Sequence, residues 1–200
     1  MLRPLLVCAF VLLVAVASTA NANTHGHGRR PVIRCVKGLT FGLKTLSDRD
    51  RDLIRLNPVT TTIKALATKN TTYRRTHHRR TRGFERQVWR VVAEITLYRV
   101  DSDGTMQLVL FDDGTYMQAE MPAVSCIPRN ARNRTGMEAA RNAFARCGPA
   151  TEQYQPLGAV AFLNGVGYWG RHTGPATAPN GAKLSPVVRF VPLAGCGAGR

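Results

Sequence analysis

The sequence predicts a mainly β fold of the α+β class, and two observations near its middle carry this prediction. Apolar and polar residues alternate from Gln87 to Val100, the pattern of a strand with one buried side and one side facing solvent. Two Asp-Gly turns follow, and strand-forming residues resume after each of them, at residues 105–111 and 115–121. Because glycine supplies the positive φ that tight hairpins need, we expect three consecutive strands in a meander.

A helix and two more strands are predicted after the meander. Met137, Ala140 and Phe144 form an apolar stripe at helical spacing, and residues 157–169 and 184–193 have the composition of strands. Three strands, a helix and two strands is the order of the OB-fold, a small Greek-key barrel. We therefore predict a five-stranded OB-like barrel with one helix between strands three and four. Another small barrel or an open α+β sandwich is the alternative.

The chain divides into three predicted segments. Residues 1–22 have the features of a secretory signal peptide, with a basic Arg3, an apolar run and the cleavage pattern Ala20-Asn21-Ala22. Residues 23–83 are predicted to form an irregular N-terminal arm and a basic loop, and residues 84–200 form the barrel domain. The predicted location is extracellular after cleavage, and no transmembrane segment is expected in the mature chain.

Four of the five cysteines remain once the predicted signal peptide is removed: Cys35, Cys126, Cys147 and Cys196. An even number in a secreted chain predicts two disulfides, and sequence alone permits three connectivities. Because Cys126 and Cys147 flank the predicted helix, we expect them to pair. Cys35 is then left to pair with Cys196.

The charge balance favours an acidic partner. The whole chain has a formal net charge of +16, and the mature chain keeps 27 basic residues against 12 acidic ones. Nucleic acid, an anionic envelope polymer or an anionic membrane surface would each suit such a surface. A solvated basic surface without a partner is the simpler alternative.

Residues 69–90 hold the densest basic stretch, and we expect a mobile basic loop here because it offers little apolar surface to bury. OB barrels bind strands of nucleic acid or sugar by stacking rings on aromatic residues above a basic groove. Each aromatic candidate also has a structural interpretation, as part of the core or as cover for a hairpin. The candidate ligand contacts are Arg74, Arg75, Arg79, Arg80, Arg82, Tyr98, Arg99, Phe111, Tyr116 and Arg171.

The predicted mature N-terminus offers a conditional metal site. If cleavage follows Ala22, the new chain begins with Asn23, Thr24 and His25. A free amine, two amide nitrogens and an imidazole in third position form a square-planar chelate for Cu(II) or Ni(II). A tail with incidental histidines is the simpler interpretation, and no cofactor is predicted.

Several segments together resemble a family of uncharacterised secreted bacterial proteins with an OB-like barrel. The matching segments are Lys44-Thr-Leu-Ser-Asp48, Thr60-Thr-Thr-Ile63, Tyr98-Arg-Val-Asp-Ser-Asp-Gly104, Gln107-Leu-Val-Leu110, Glu120-Met-Pro-Ala-Val-Ser-Cys126 and Ala178-Pro-Asn-Gly-Ala-Lys-Leu-Ser-Pro186. The family usually has His before the last proline, whereas Ser185 stands at this position here, so no role of such a histidine transfers. The resemblance implies the fold and an exported location, and it implies no activity.

Three functions follow as hypotheses. The first is a secreted basic binding module for single-stranded nucleic acid or another polyanion. The second is a non-catalytic, disulfide-stapled envelope or interaction protein. The third is a metal-assisted OB-type nuclease, with Arg129 or Arg171 on the phosphate. Its candidate metal ligands are Asp101, Asp103, Asp112, Asp113 and Glu120. The sequence favours a protein without catalysis, because both Asp pairs lie in turns that select Asp for backbone reasons. The sequence does not predict the oligomeric state.

Overall fold

The computed structural model describes residues 33–35, 37–71, 79–171 and 176–197, all within the unit Val32–Arg200. The predicted signal peptide and the conditional metal site at Asn23, Thr24 and His25 lie outside the described residues, as do Arg74 and Arg75. The division of the chain at residue 83 stays a prediction.

The predicted meander is confirmed. Its strands are β2 at Gln87–Val100, β3 at Met106–Asp112 and β4 at Thr115–Met121, and neighbours pair in antiparallel fashion. In the second turn Asp113 has φ of 43° and Gly114 has φ of 71°. Both residues occupy the left-handed region that the Asp-Gly pattern predicts for a tight hairpin.

The alternation predicted for β2 is correct over its first part and changes at a bulge. The register of β2 shifts between Ile95 and Leu97 against both neighbouring strands. Beyond the shift Tyr98 is buried, at 3% exposed, and Leu97 is half-buried. An inserted residue moves every later side chain to the other face of a strand, so the predicted burial of Leu97 is corrected.

The helix and the two later strands are also confirmed. The helix α3 spans Arg134–Phe144, and its predicted apolar stripe is fully buried. The strands are β5 at Gln155–Trp169 and β6 at Ala182–Ala194, which pair with each other in antiparallel fashion.

The N-terminal arm is more regular than predicted. It contains α1 at Phe41–Thr45, the strand β1 at Arg55–Thr60 and α2 at Ile63–Ala67. β1 pairs in parallel with the start of β2 and is a sixth strand where five were predicted. Short 3-10 turns lie at Arg51–Leu53, Phe84–Arg86 and Val124–Cys126. None of the described helices is long and apolar enough to cross a membrane.

The six strands form one mixed sheet in the order β1-β2-β3-β4-β6-β5, and β2 pairs additionally with β5. The parallel pairs are β1 with β2 and β4 with β6. The larger core cluster joins the inner side of this sheet to α2 and to the last turns of α3, through residues such as Leu66 and Phe144. A smaller cluster holds Met137 of α3 against Val88 and Val166.

The four cysteines form two disulfides, but the predicted pairing is wrong. Cys35 pairs with Cys126, and Cys147 pairs with Cys196. Cys126 precedes α3 and Cys147 follows it, and the 11 residues of this helix separate its ends by about 16 Å. A disulfide needs Cα atoms closer than about 7 Å, so a pairing of Cys126 with Cys147 would require the segment between Cys126 and α3 to run back along the helix.

Candidate functional site

Two arginines converge on one phenylalanine ring on the outward side of the sheet. The guanidinium carbon of Arg90 lies 4.8 Å from the centroid of the Phe162 ring, and that of Arg189 lies 5.5 Å from it. Arg90 Nε also donates a hydrogen bond of 3.4 Å to Asn164 Oδ1. We name these four residues, Arg90, Phe162, Asn164 and Arg189, the arginine face.

Strand register explains why these side chains meet. Arg90 on β2 is the direct partner of Asn164 on β5, and Asn164 is the direct partner of Arg189 on β6. Phe162 lies two residues from Asn164 on β5, so it projects from the same side of that strand. The two arginines therefore approach the ring diagonally from the two neighbouring strands, within the reach of long side chains.

The other end of β2 carries a second cation and aromatic pair. The guanidinium carbon of Arg99 lies 4.7 Å from the centroid of the Tyr154 ring, and Tyr154 is 41% exposed. Arg99 also forms an ion pair of 3.0 Å with Asp101 and donates a hydrogen bond of 3.2 Å to Gln107 Oε1. Partial burial raises the pKa of Asp101, and the nearby Arg99 only partly offsets that effect.

The bulge in β2 is what puts Arg99 on the outward side. With the alternation of residues 91–95 continued unbroken, Arg99 would point inward and Tyr98 outward. After the shift Tyr98 packs against Phe144 in the core, with ring centroids 5.3 Å apart. Arg90 and Arg99 therefore lie on one side of the same strand, about 30 Å apart along it.

A cavity of about 380 Å³ lies beside the start of β2. Its lining residues are Lys69, Asn70, Thr71, Thr81, Arg82, Phe84 and Trp169. The Lys69 ammonium lies 4.9 Å from the centroid of the Trp89 ring, and the Phe84 and Trp169 centroids are 4.3 Å apart. Lys69 and Arg82 therefore border the two rings of Phe84 and Trp169, which are almost fully buried.

Several predicted ligand contacts lie at the surface. Arg82 and Arg171 are exposed, and Arg99 is half-buried. Arg79 has a side chain 69% exposed that forms an ion pair of 3.4 Å with Asp50. Phe111 and Tyr116 are cross-strand partners on the hairpin of β3 and β4, with ring centroids 4.8 Å apart.

Two predicted contacts, Arg80 and Tyr98, are buried. Arg80 is 3% exposed, and its guanidinium binds Asp48 at 2.8 Å and the carbonyl oxygen of Leu43 at 2.6 Å. Tyr98 belongs to the core described above. Neither side chain has a surface on which a ligand could lie, and this corrects the expectation from the sequence. The basic loop is anchored at this end because nearby carboxylates compensate the buried charge.

The arginine face was missed in the sequence, although a signal for part of it was present. The alternation of β2 places Arg90 on its solvent side, and the same logic applies to Phe162 on β5. The convergence of residues 90, 162 and 189 depends on which strands are neighbours, and no local pattern contains that information.

A buried charged cluster lies on β4 and β6, on the side that faces away from the larger core cluster, where Lys44 of α1 reaches Glu120. Glu120 is 2% exposed, and its carboxylate lies 2.9 Å from Lys44 Nζ and 3.5 Å from Lys183 Nζ. The same carboxylate accepts a hydrogen bond of 2.9 Å from Ser185 Oγ. Burial alone would raise the pKa of Glu120, but the two ammonium groups and these hydrogen bonds outweigh it and hold that pKa below its usual value. The Glu120 carboxylate is also expected to raise the pKa of Lys44, against the effect of burial.

The carboxylates that the nuclease hypothesis uses are not gathered at one point. In the described part of the chain no group of three or more His, Cys, Asp or Glu side chains could hold a metal ion. The carboxylate of Glu120 forms ion pairs with Lys44 and Lys183. Asp113 forms an exposed ion pair of 3.3 Å with Lys64.

No protein-family model and no curated protein sequence matches this chain. Among solved structures, a crystal structure from Leishmania major Friedlin assigned as an aspartyl-tRNA synthetase is similar over 70% of this chain, with a TM-score of 0.41 and 11% sequence identity. The chain spans about a fifth, 21%, of the length of that protein. A likeness this distant assigns neither fold nor activity.

Proposed function

We propose that this chain is a secreted basic binding module for an extended polyanion, with single-stranded nucleic acid as the first candidate. One observation carries the proposal: Arg90 and Arg189 converge on the ring of Phe162 on the solvent-facing side of the sheet, at 4.8 and 5.5 Å. The two guanidinium carbons are therefore at most about 10 Å apart. Two fixed positive charges at this spacing suit a chain of repeated anionic groups.

Stacking prepares an arginine for this role. The N–H groups of a guanidinium point outward in its own plane, so contact between an aromatic ring and the face of that plane leaves them available. Two of these N–H groups can then bind two oxygens of one phosphate. Its orientation is already restricted, so less side-chain entropy is lost when the anion binds. The net charge of +16 adds long-range attraction and predicts fast, salt-dependent association.

The proposed path of the ligand follows the outward side of β2. Arg90 lies near its start and Arg99 at its end, with Phe162 on one side and the pair of Phe111 and Tyr116 on the other. Bases can stack on such rings while the arginines bind the backbone. Glu94 lies on the same side of β2 and is partly exposed, so the path is not uniformly positive.

We further propose that the sheet is an OB-like barrel. The support is that β2 pairs with both β3 and β5, that β4 and β6 are parallel, and that α3 lies between β4 and β5 in the chain. This is the strand and helix order expected for that fold. The two disulfides support an oxidising, extracellular location.

The test is a titration of the purified chain with a fluorescent single-stranded oligonucleotide across a salt series, with heparin as competitor. We expect binding that persists at about 0.15 M salt and that heparin displaces poorly, because stacking adds to charge. Two outcomes would contradict a stacking interface. One is binding that disappears at this salt concentration, and the other is displacement of the fluorescent oligonucleotide by heparin as readily as by the same oligonucleotide without its label. The envelope or interaction protein would then be the better interpretation.

A charge-matched pair of variants locates the interface. Arg90→Met with Arg189→Met removes both cations of the arginine face, and Arg146→Met with Arg49→Met removes the same charge from two exposed positions elsewhere. Equal losses of affinity in the two double variants would show that net charge, and not this face, binds the oligonucleotide.

A further inference from the structure

A small cavity lies between two segments that the first disulfide joins. On one side are residues of the arm from Cys35 to Thr45, and on the other are the first turn of the meander and the end of β4. Cys35 and Cys126 themselves line the space. Its volume of about 140 Å³ is below the roughly 300 Å³ of sites for drug-sized ligands, so only a small molecule fits.

The positive wall of this cavity comes from the buried cluster around Glu120. Two ammonium groups share that one carboxylate, so the cluster carries an excess positive charge. The side chain of Lys44 is 32% exposed, whereas those of Lys183 and Glu120 are 10% and 3% exposed. Lys44 is therefore the member through which the cluster meets the cavity.

The negative wall is Asp103. Its Oδ1 accepts a hydrogen bond of 2.9 Å from the Thr105 amide, which holds the carboxylate at the rim of the turn. The ion pair of Lys44 within the described residues is with Glu120. Lys44 and Asp103 thus line one cavity as two separate charges of opposite sign, together with the threonines Thr40, Thr45 and Thr105.

We infer that this cavity binds a small zwitterion of the α-amino acid class, with its carboxylate toward Lys44 and its ammonium group toward Asp103. A ligand that carries both charges satisfies both walls at once, whereas a simple anion meets the repulsion of Asp103 and a simple cation that of Lys44. Glycine and alanine have few non-hydrogen atoms and suit the small volume. This site lies apart from the arginine face and does not depend on the proposed function.

The test is calorimetric titration of the full mature chain with glycine and L-alanine, and with acetate and methylammonium as the two halves of the ligand. We expect the amino acids to bind at least about tenfold more tightly than either half. An affinity for acetate equal to that for glycine would overturn the inference in favour of a simple anion site. Absence of heat from all four probes, with no shift in thermal stability, would also overturn it.

Two variants locate the ligand. Asp103→Asn keeps the oxygen that accepts from Thr105, so the turn is retained, and we expect glycine to bind about tenfold more weakly. Asp112→Asn changes an aspartate at the other hairpin turn and should leave glycine affinity unaltered. Unchanged glycine binding by Asp103→Asn would exclude this cavity as the site. The double variant Arg90→Met with Arg189→Met is expected to bind glycine like the parent chain, because neither arginine lines this cavity, so the two proposals can fail separately.

Discussion

Arg80 and Arg189 show how differently two arginines of one basic chain are used. The side chain of Arg80 is 1% exposed and is enclosed by Asp48 and by the carbonyl oxygens of Leu43 and Glu85. Arg189 is exposed and lies against the ring of Phe162. The first arginine holds chain segments together, and the second leaves its hydrogen-bonding groups toward solvent.

This difference shows that the number of basic residues in a stretch of sequence does not indicate how many positive charges are exposed at the surface. Arg80 lies in the most basic stretch of the chain and is not available to a ligand. Arg90 and Arg189 are 99 positions apart in the sequence and reach one ring. A polyanion responds to the arrangement of charges in space, so the distant pair is the better candidate.

The largest effect is expected from Arg80→Met. The change leaves the Asp48 carboxylate and two carbonyl oxygens in a buried site without their donor, which typically costs about 3–5 kcal/mol of unfolding free energy. Urea unfolding followed by circular dichroism measures it. Arg82→Met, at an exposed position two residues later, is the matched control and should stay within about 0.5 kcal/mol of the parent. Similar losses in both variants would abolish the contrast between buried and exposed arginines.

Glu120→Gln tests a buried carboxylate by the same urea unfolding measurement, and the loss of unfolding free energy is expected to depend on pH. The pKa of Glu120 is lowered in the folded protein, so its contribution to stability is complete above its unfolded value near 4.5 and is lost as pH falls through the folded pKa. At about pH 7 the variant should lose about 1–3 kcal/mol, because Lys44 and Lys183 lose their counter-charge. The difference from the parent should shrink at about pH 3. A difference that grows on acidification would show that the pKa is shifted the other way.

The double variant Arg90→Met with Arg189→Met should alter binding and leave folding nearly unchanged. If each arginine neutralises one phosphate, the slope of log affinity against log salt should fall by about 1.4 in magnitude for a single-stranded ligand. We expect about tenfold weaker binding near physiological salt, and unfolding free energy within about 1 kcal/mol of the parent. An unchanged salt slope would remove the arginine face from the interface.

The smallest effect is expected from Lys64→Met. Lys64 and Asp113 form an ion pair of 3.3 Å, but their side chains are 63% and 76% exposed. Solvent screens such a pair, and its loss should change the unfolding free energy by less than about 0.5 kcal/mol. A loss as large as that of Arg80→Met would mean that burial does not separate the two kinds of ion pair in this chain.

Much of the strand order was predictable from the sequence, while the sites were predictable only in part. The meander, α3, β5 and β6 have strong local patterns, and all were found within a few residues of their bounds. The strand β1 was missed because Pro58 interrupts a short and mostly exposed segment. Of the candidate ligand contacts, Arg82 and Arg171 are exposed and Arg99 is half-buried, whereas Arg80 and Tyr98 are buried.

By itself the sequence determined the hairpins, the helix and the number of disulfides. These depend on residues close together in the chain, on φ preferences at Asp113 and Gly114 and on an even count of cysteines. The tertiary structure alone decided which cysteines meet, which of Tyr98 and Arg99 faces solvent, and which arginines remain exposed. These depend on strand register and on neighbours far away in the sequence, where one bulge or one distant carboxylate reverses the outcome.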